Sequence, residues 1–242
     1  MLGLKKQIQK IYKFILDILF PIRCLGCGKE GNWICDDCLA TIELIKNPTC
    51  PKCGKPSKYG KFCAECSFKS RMTGIMVAAS YDNKLLQKSI HTMKYKFVKD
   101  LAKPLSKILV KTLNSNLLDS QILTNKIICI PVPLHTKRLK WRGFNQAQEL
   151  SYWLNNQLKI PIRQDILVRS KHTQPQMQIK SHLVRRKNIK NAFQCANPKA
   201  VKDKTIILID DVCTTSATLE ECAKALYKAK PKEIWGLVLA RV

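Results

Sequence analysis

Acidic residues are scarce in this sequence of 242 residues, which contains 17 Asp and Glu against 43 Lys and Arg. The formal net charge is +26, and the segment from Lys84 to Lys190 alone carries 22 basic and 4 acidic residues, a net +18. This imbalance argues against a cationic partner. It favours an anionic one, such as nucleic acid, a phosphorylated small molecule or an anionic membrane surface.

Long hydrophobic runs are also missing. No apolar stretch reaches the roughly 20 residues that a transmembrane helix needs, so we expect no transmembrane segment. The N-terminus has apolar residues at helical spacing: Leu4, Ile8, Ile11, Phe14, Ile15 and Ile18. Charges interrupt this pattern and no small-residue cleavage site follows, which is not typical of a signal peptide. We expect this segment to form a helix that docks on the folded body of the same chain, in a cytoplasmic protein. The alternative is that the basic face of the helix makes peripheral contact with the inner membrane.

Cysteine, in contrast, is abundant and ordered. Eight of the twelve cysteines form four C-x2-C pairs: Cys24, Cys27, Cys35, Cys38, Cys50, Cys53, Cys63 and Cys66. A C-x2-C pair directs two thiolates at one ion, and two pairs complete a tetrahedral shell around zinc. The alternative is a disulfide framework, which is typical of small secreted domains, and the sequence shows no export signal. We therefore predict two structural Zn2+ sites in a double zinc ribbon.

The grouping of these cysteines is open to two arrangements. We predict sequential pairing, in which the first four bind one ion and the last four another, because each set closes a short loop; a cross-braced arrangement is the alternative. Gly26, Gly28 and Gly54 lie in or next to the C-x2-C turns (zinc knuckles). Such tight turns need backbone conformations that glycine adopts without strain. Four further cysteines in largely apolar contexts are expected to be buried thiols: Cys129, Cys195, Cys213 and Cys222.

Beyond about residue 70, apolar periodicities alternate between strand and helix. Strands are predicted at 75–81, 127–134, 166–168, 204–210 and 233–240. Helical segments are predicted at 86–109, with interruptions near Phe97 and Pro104, at 147–158 and at 219–229. This alternation predicts an α/β fold with a mainly parallel, doubly wound sheet. We therefore divide the chain into a zinc-binding module with its N-terminal helix at 1–70 and an α/β domain at 71–242.

Ligands of such sheets bind beyond the carboxyl ends of the strands, where three polar connections meet. The connection 134–145 is basic, and guanidinium groups beside a helix start suit phosphate or pyrophosphate. The connection 169–193 is long and basic, which is typical of a lid that closes over an anionic substrate. The third connection spans 210–218.

This third connection follows a very apolar strand and begins with two adjacent acids, Asp210 and Asp211. Four hydroxyls follow in the turn: Thr214, Thr215, Ser216 and Thr218. Turn amides and these hydroxyls can point at one phosphate above the next helix, while the acids suit vicinal hydroxyls. The pattern therefore predicts a ribose 5-phosphate site. The alternative is an ordinary helix N-cap beside a chance acid pair.

Together these segments resemble the ComF-type, late-competence branch of proteins with a type I phosphoribosyltransferase-like domain. LIDDVCTTSAT is similar to the phosphoribosyl-pyrophosphate (PRPP) motif of that fold. The other matching segments are the cysteine-rich ribbon, Tyr81–Tyr95 with its MKY, PVPLHTKRLKWRGFNQA at 131–147, and Gln176 through Arg185 and Asn188 to Phe193. The resemblance covers essentially the whole chain and implies a parallel sheet of the type I phosphoribosyltransferase type with a small N-terminal double zinc ribbon.

The resemblance also implies ligand-binding roles. Asp210 and Asp211 would bind the ribose 2- and 3-hydroxyls of PRPP. The loop that would hold the 5-phosphate consists of Thr214, Thr215, Ser216, Ala217 and Thr218.

Three arginines are implied to face the pyrophosphate, normally together with Mg2+: Arg138, Arg142 and, in the flexible hood 169–193, Arg185. In the transferases, pyrophosphate leaves an oxocarbenium-like ribose, and cationic and metal stabilisation of that charge is the main catalytic contribution. The catalytic candidates are therefore Asp210, Asp211 and Arg142.

Two departures from the family pattern matter for function. Ser216 stands where the motif usually has glycine, so a positive φ there would add strain and reduce phosphate affinity. The spacing from Gln176 to Arg185 is one residue longer than the family pattern. No site for a nucleobase acceptor can be recognised, which fits a protein that binds PRPP without obvious transfer.

Two classes of function follow from these observations. The first is a competence-associated protein that binds Mg–PRPP and handles single-stranded DNA during uptake in natural transformation, with uptake-machinery proteins at the inner membrane as partners. The +18 segment and Trp141 support it, since cationic grooves with aromatic side chains bind single strands. The second is an active phosphoribosyltransferase in nucleotide or related metabolism, with an unknown acceptor. We favour the first as the cellular role.

Overall fold

A computed structural model describes residues 21–117, 126–170 and 189–242. The expected N-terminal amphipathic helix and the hood residues Gln176, Arg185 and Asn188 lie outside the described residues and stay predictions. The chain divides into two compact units, Met1–Ile42 and Glu43–Val242.

Each unit contains one cysteine ribbon, and the two ribbons repeat the same knuckle. The amide of Gly28 donates to the carbonyl of Cys24 at 2.9 Å, and the amide of Gly54 donates to that of Cys50 at 3.0 Å. Both glycines have a positive φ, +78° and +75°, which an L side chain adopts only with strain. The expected need for glycine is confirmed at these two positions, whereas Gly26 has no positive φ.

A short helix follows the third cysteine of each ribbon. These helices are α1 (Asp36–Ala40) and α2 (Ala64–Ser67). Cys35 caps α1, because its Sγ accepts the amide of Cys38 at 3.5 Å. Each helix therefore carries the fourth cysteine of its cluster, Cys38 in α1 and Cys66 in α2.

The second ribbon is continuous with the sheet of its unit. Lys61 forms an antiparallel bridge with Gly74 at the start of the first strand. A side chain at Gly60 would collide with the backbone carbonyl of Ile75, so glycine permits this close approach. The second ribbon and the sheet thus form one compact unit, and the domain boundary near residue 70 stays a prediction.

Four parallel strands form the main sheet: β1 (Gly74–Ser80), β2 (Ile127–Pro131), β5 (Thr205–Cys213) and β6 (Glu233–Arg241). They lie in the order β1–β6–β5–β2. A separate antiparallel pair consists of β3 (Leu167–Arg169) and β4 (Phe193–Cys195). All residues of β6 between its two ends are buried, as expected of a parallel strand covered on both faces. The predicted α/β fold with a parallel sheet is confirmed.

Among the described residues, five further helices accompany the sheet: α3 (Lys84–Tyr95), α4 (Ala102–Leu117), α5 (Thr136–Arg142), α6 (Gln146–Leu158) and α7 (Ala217–Tyr227). Helices α4 and α6 pack together against the main sheet, and α7 packs against β5 and the β3–β4 pair. The expected break near Phe97 separates α3 from α4. Pro104 does not interrupt α4, since it lies in the first turn, where the missing amide costs no hydrogen bond.

The sequence analysis missed α5 and β4, which are both short. Helix α5 has no buried residue and so no apolar periodicity to detect. Its ends are set by local chemistry: His135 Nδ1 accepts the amide of Lys137 at 3.2 Å, and Gly143 has φ +83°. Strand β4 has one buried residue in three and pairs only with β3.

Candidate functional site

The acid pair, Asp210 and Asp211, lies in the part of β5 that extends beyond the end of its neighbour β2. The last register pair between these strands is Pro131 with Ile209, whereas β6 continues to pair with β5 as far as Cys213. Asp210 and Asp211 therefore lie at the carboxyl end of the sheet with no strand on the β2 side. This is the edge at which parallel sheets bind ligands.

Lys94, near the end of α3, binds this acid pair. Its Nζ lies 2.8 Å from Asp211 Oδ1, and the two side chains are only 18% and 7% exposed. Asp211 Oδ1 also accepts the amide of Val212 at 2.6 Å, and Asp210 Oδ1 accepts the amide of Asp211 at 2.8 Å. Lys94 thus supplies a fixed positive charge to two adjacent carboxylates.

The protonation of the site reflects these charges. Burial, followed by the negative charge of Asp211, raises the pKa of Asp210 from 3.8 to about 7, although Lys94 and Arg169 oppose the shift. Burial by itself would lower the pKa of Lys94, but the charge and hydrogen bond of Asp211 outweigh it and raise that pKa. Lys94 is therefore charged at neutral pH, and the acid pair holds a proton close to neutrality.

The loop after β5 forms a small pocket at the start of α7. Its lining includes Asp210, Cys213, Thr214, Ser216 and Thr218. Ser216 is the residue before α7 and has φ 60° and ψ −1°. The left-handed conformation anticipated for this position is therefore present, and a serine adopts it.

One hydroxyl in this loop has no partner. Thr215 Oγ1 is buried without a hydrogen bond among the described residues. Ser216 makes no side-chain cap on α7, and its Oγ lies 3.7 Å from Cys213 Sγ. A buried hydroxyl without a partner is costly unless a ligand or water satisfies it. Thr215 itself does not line the pocket, so an acceptor must reach its hydroxyl through a shift of the loop.

Three arginines lie around the acid pair: Arg138 and Arg142 on α5 and Arg169 at the end of β3. Burial and the charges of Arg169 and Arg142 lower the pKa of Arg138 to about 10. Burial also lowers the pKa values of Arg142 and Arg169, opposed by Asp211 in the first case and by Cys222 and Asp210 in the second. Nε of Arg142 is buried without a hydrogen bond in the described part of the chain. These partly desolvated guanidinium groups suit a multiply charged anion.

The structure therefore brings together most of the residues singled out in the sequence. The loop 214–218, Asp210, Asp211 and the two arginines of α5 share one site, while Arg185 lies outside the described residues. Lys94 and Arg169 were missed as site residues. A signal for each existed, because Lys94 belongs to the MKY segment and Arg169 ends a strand at the ligand-binding edge. The individual roles of all these residues stay predictions.

The eight ribbon cysteines form two clusters of four. The ligand atoms of Cys24, Cys27, Cys35 and Cys38 lie within 4.8 Å of one another, as do those of Cys50, Cys53, Cys63 and Cys66. The sulfur–sulfur distance is 3.8 Å for Cys24–Cys35 and 3.6 Å for Cys53–Cys63. A tetrahedron with Zn–S bonds of about 2.3 Å has an edge of about 3.8 Å. The clusters fit zinc, and sequential pairing is confirmed.

Backbone amides stabilise thiolates in both clusters. The amide of Cys35 donates to Cys24 Sγ, and that of Cys63 donates to Cys50 Sγ, both at 3.4 Å. Burial would raise the pKa values of Cys24 and Cys50, but amide donors, these two among them, lower both to about 6. All twelve cysteines are free rather than paired in disulfides, so the disulfide alternative is wrong.

Among the described residues, no helix has both the length and the apolar content to cross a membrane.

Both the cysteine-rich part and the α/β part of the chain match known protein families. Residues 15–67 match the double zinc ribbon domain, and residues 140–241 match the phosphoribosyl transferase domain. Competence protein F of Haemophilus influenzae is 33% identical over 229 residues, covering 91% of this chain and 98% of that protein. DNA utilization protein YhgH of Escherichia coli O157:H7 is 30% identical over 86% of this chain and 91% of its own length. Competence protein ComFC of Bacillus subtilis is 25% identical over 90% and 88%.

Proposed function

Because this chain belongs to the ComF family of competence proteins, we propose that it binds PRPP with Mg2+ and handles single-stranded DNA during natural transformation. The observation that carries the first half is the loop after β5. There, a left-handed Ser216 and the buried hydroxyl of Thr215, which has no partner among the described residues, follow within five residues of two carboxylates at the open edge of the sheet.

The loop supports binding of a phosphate. Ser216 is left-handed directly before α7, and turns of this kind are typical of backbone nests whose successive amides bind an anion. A phosphate oxygen would also accept the proton of Thr215 Oγ1, which has no partner among the described residues. The site would thus satisfy a donor that the protein alone leaves buried and unpaired.

The acid pair supports a ribose next to that phosphate. The Asp210 carboxylate lines the same pocket as Ser216 and Thr218, and carboxylates accept hydrogen bonds from vicinal hydroxyls in bidentate fashion. Carboxylate and hydroxyl oxygens are also the ligands that Mg2+ prefers. Since Lys94 already neutralises Asp211, Asp210 is the carboxylate available to a ligand, and Asp211 holds it in place through its amide.

The arginines support binding of pyrophosphate. Arg138, Arg142 and Arg169 lose hydration by burial and repel one another, as the lowered pKa of Arg138 shows. A pyrophosphate with its Mg2+ would relieve that repulsion. The same cluster would stabilise charge on a departing pyrophosphate, which is the observation that favours phosphoribosyl transfer to an unknown acceptor as the second candidate.

The role in DNA handling is supported by relatives and by charge. Relatives over most of the chain are named competence or DNA utilization proteins. The segment from Lys84 to Lys190 has a net charge of +18, and the aromatic residue Trp141 within it is 59% exposed. A cationic surface with exposed aromatic side chains is typical of proteins that bind single strands. A cytoplasmic location at the inner face of the membrane, beside the uptake machinery, is consistent with this role.

The decisive experiment is calorimetric titration of the zinc-loaded protein with Mg–PRPP and, separately, with single-stranded DNA. The wild type should bind both, and the double variant Asp210→Asn, Asp211→Asn should lose PRPP. Asp203→Asn, an exposed acid ahead of β5, is the matched control and should bind as the wild type does. Equal PRPP affinity in wild type and double variant would refute the assignment of the site.

Three further measurements distinguish DNA binding, a shared ligand site and phosphoribosyl transfer. DNA affinity should fall steeply as salt rises, since basic groups release counterions from the phosphates; salt-independent binding would contradict the DNA role. If Mg–PRPP and single-stranded DNA displace each other in a competition titration, the two ligands share one site. Pyrophosphate release from Mg–PRPP in the presence of an acceptor, abolished in the double variant, would establish the transferase instead.

A further inference from the structure

An aromatic residue with an unfavourable backbone lies just beyond α3. Phe97 has φ 59°, a left-handed conformation that costs a non-glycine residue about 1–2 kcal/mol. It is nevertheless 43% exposed, so burial of its ring does not explain the conformation. It lies directly after the C-cap residue Lys96, where helices commonly end on a left-handed residue, usually glycine; here that position holds an aromatic side chain.

The ring of Phe97 contacts that of Trp141 on α5. The ring centroids are 5.1 Å apart and the planes meet at 80°, an edge-to-face contact. This geometry leaves a broad aromatic surface open, and Trp141 is 59% exposed. Two large aromatic side chains therefore form a step on the protein surface.

This step adjoins the cationic wall of the candidate site. The Cζ atom of Arg142 lies 5.7 Å from the centroid of the Trp141 ring, and its charge interacts with Asp211. On the other side, Lys94 precedes Phe97 by three residues and binds Asp211 at 2.8 Å. The end of α3 and the end of α5 are thus both tied to the acid pair, with the aromatic step beside them.

A second aromatic pair on α6 provides a contrast. Tyr152 and Trp153 have nearly the same geometry, with centroids 5.3 Å apart and planes at 81°. Their cationic neighbour is Lys103, whose Nζ lies 5.1 Å from the Trp153 ring. Lys103 belongs to α4, which packs on α6, so this pair contributes to a helix–helix contact. Of these two pairs, the Phe97–Trp141 step is the one joined, through Arg142, to the acid pair.

From this placement we infer that Phe97 and Trp141 form a stacking platform for a nucleobase whose phosphates are held by the neighbouring arginines. A planar ring attached to an anionic chain matches both features: the exposed aromatic surface binds the ring, and Arg142 with its neighbours binds the phosphate. The inference rests on the proposed function and specifies its second ligand. The base can belong to a single DNA strand or to a free nucleotide.

The test compares ligands that differ only in the base. Fluorescence anisotropy would measure binding of oligothymidylate and of an abasic oligomer of the same length and charge. The wild type should prefer the oligomer with bases by about tenfold or more. Trp141→Ala should bind the two oligomers almost equally, Trp141→Phe should retain part of the preference, and the control Trp153→Ala should retain all of it. Zinc content and thermal stability would establish that each variant is folded.

Further outcomes of this comparison would decide whether the stacking platform exists. A wild type that binds both oligomers equally, or a Trp141→Ala variant that keeps the preference, overturns the platform while leaving DNA binding intact. Binding of neither oligomer would refute the DNA role instead. In that case, the affinities for AMP and for ribose 5-phosphate would be compared, because only AMP carries a base. A preference for AMP that Trp141→Ala removes supports the platform for a free nucleotide, and equal affinity for the two overturns it.

Discussion

Replacement of Lys94 by methionine tests whether the acid pair depends on a buried cation. The variant removes the charge but keeps most of the apolar stem. Lys94 and Asp211 are 18% and 7% exposed and 2.8 Å apart. Removing one partner of such a pair leaves a buried charge uncompensated, which costs about 3–5 kcal/mol.

The loss of stability in this variant should depend on pH, because the carboxylate left without its partner can take up a proton. Each pH unit between the solution and an ordinary carboxyl pKa near 4 adds about 1.4 kcal/mol to the cost of that proton. At pH 8 protonation is expensive and the full penalty of about 3–5 kcal/mol remains. At pH 5 protonation limits the penalty to about 2 kcal/mol. The variant should therefore be much less stable than the wild type at pH 8 and only moderately less stable at pH 5.

Thermal unfolding of the zinc-loaded protein at the two pH values measures this difference. A loss of about 4 kcal/mol corresponds to roughly 10 °C in Tm for a chain of this size. Lys96→Met is the control, since Lys96 has the same charge two residues further along and is exposed; it should change Tm by about 1–2 °C at most. Equal and pH-independent effects of the two variants would refute the reasoning.

Three further perturbations have defined outcomes. Because burial and Asp211 raise the pKa of Asp210 from 3.8 to about 7, wild-type stability should fall as pH rises through that window. Asp210→Asn should therefore be more stable than the wild type by roughly 2–4 kcal/mol at pH 8 and nearly equal to it near pH 4 in thermal unfolding; a destabilised variant at pH 8 would contradict this. Ser216→Gly relieves the left-handed serine and should add about 0.5–1 kcal/mol of stability and tighten Mg–PRPP binding by calorimetry, whereas weaker binding would count against the phosphate loop. Elemental analysis should find two zinc ions per chain and one fewer in Cys63→Ser; less than about one in the wild type would refute the metal sites.

Local spacing in the sequence predicts the metal sites and the polar loop 210–218. A C-x2-C knuckle confines both thiolates to a few residues, so spacing predicts two four-cysteine sites with glycine at positions 26, 28 and 54. The structure decided that the grouping is sequential and that only Gly28 and Gly54 of these three have a positive φ. The loop 210–218 is likewise a continuous segment between a buried strand and a helix. Its acids, hydroxyls and left-handed residue are close in space because they are close along the chain.

Tertiary structure alone decided which distant residues complete the site. Lys94 meets Asp211, and Phe97 meets Trp141, only because α3 and α5 end at the carboxyl edge of the same sheet. Arg169 joins them because β3 ends there too. Such contacts depend on strand order, on register and on where each helix stops, and short elements such as α5 show no periodicity from which those limits can be inferred. The sequence by itself therefore determined which residue types meet in the loop 210–218 and in the cysteine clusters, and packing determined the charges and aromatic rings that surround the acid pair.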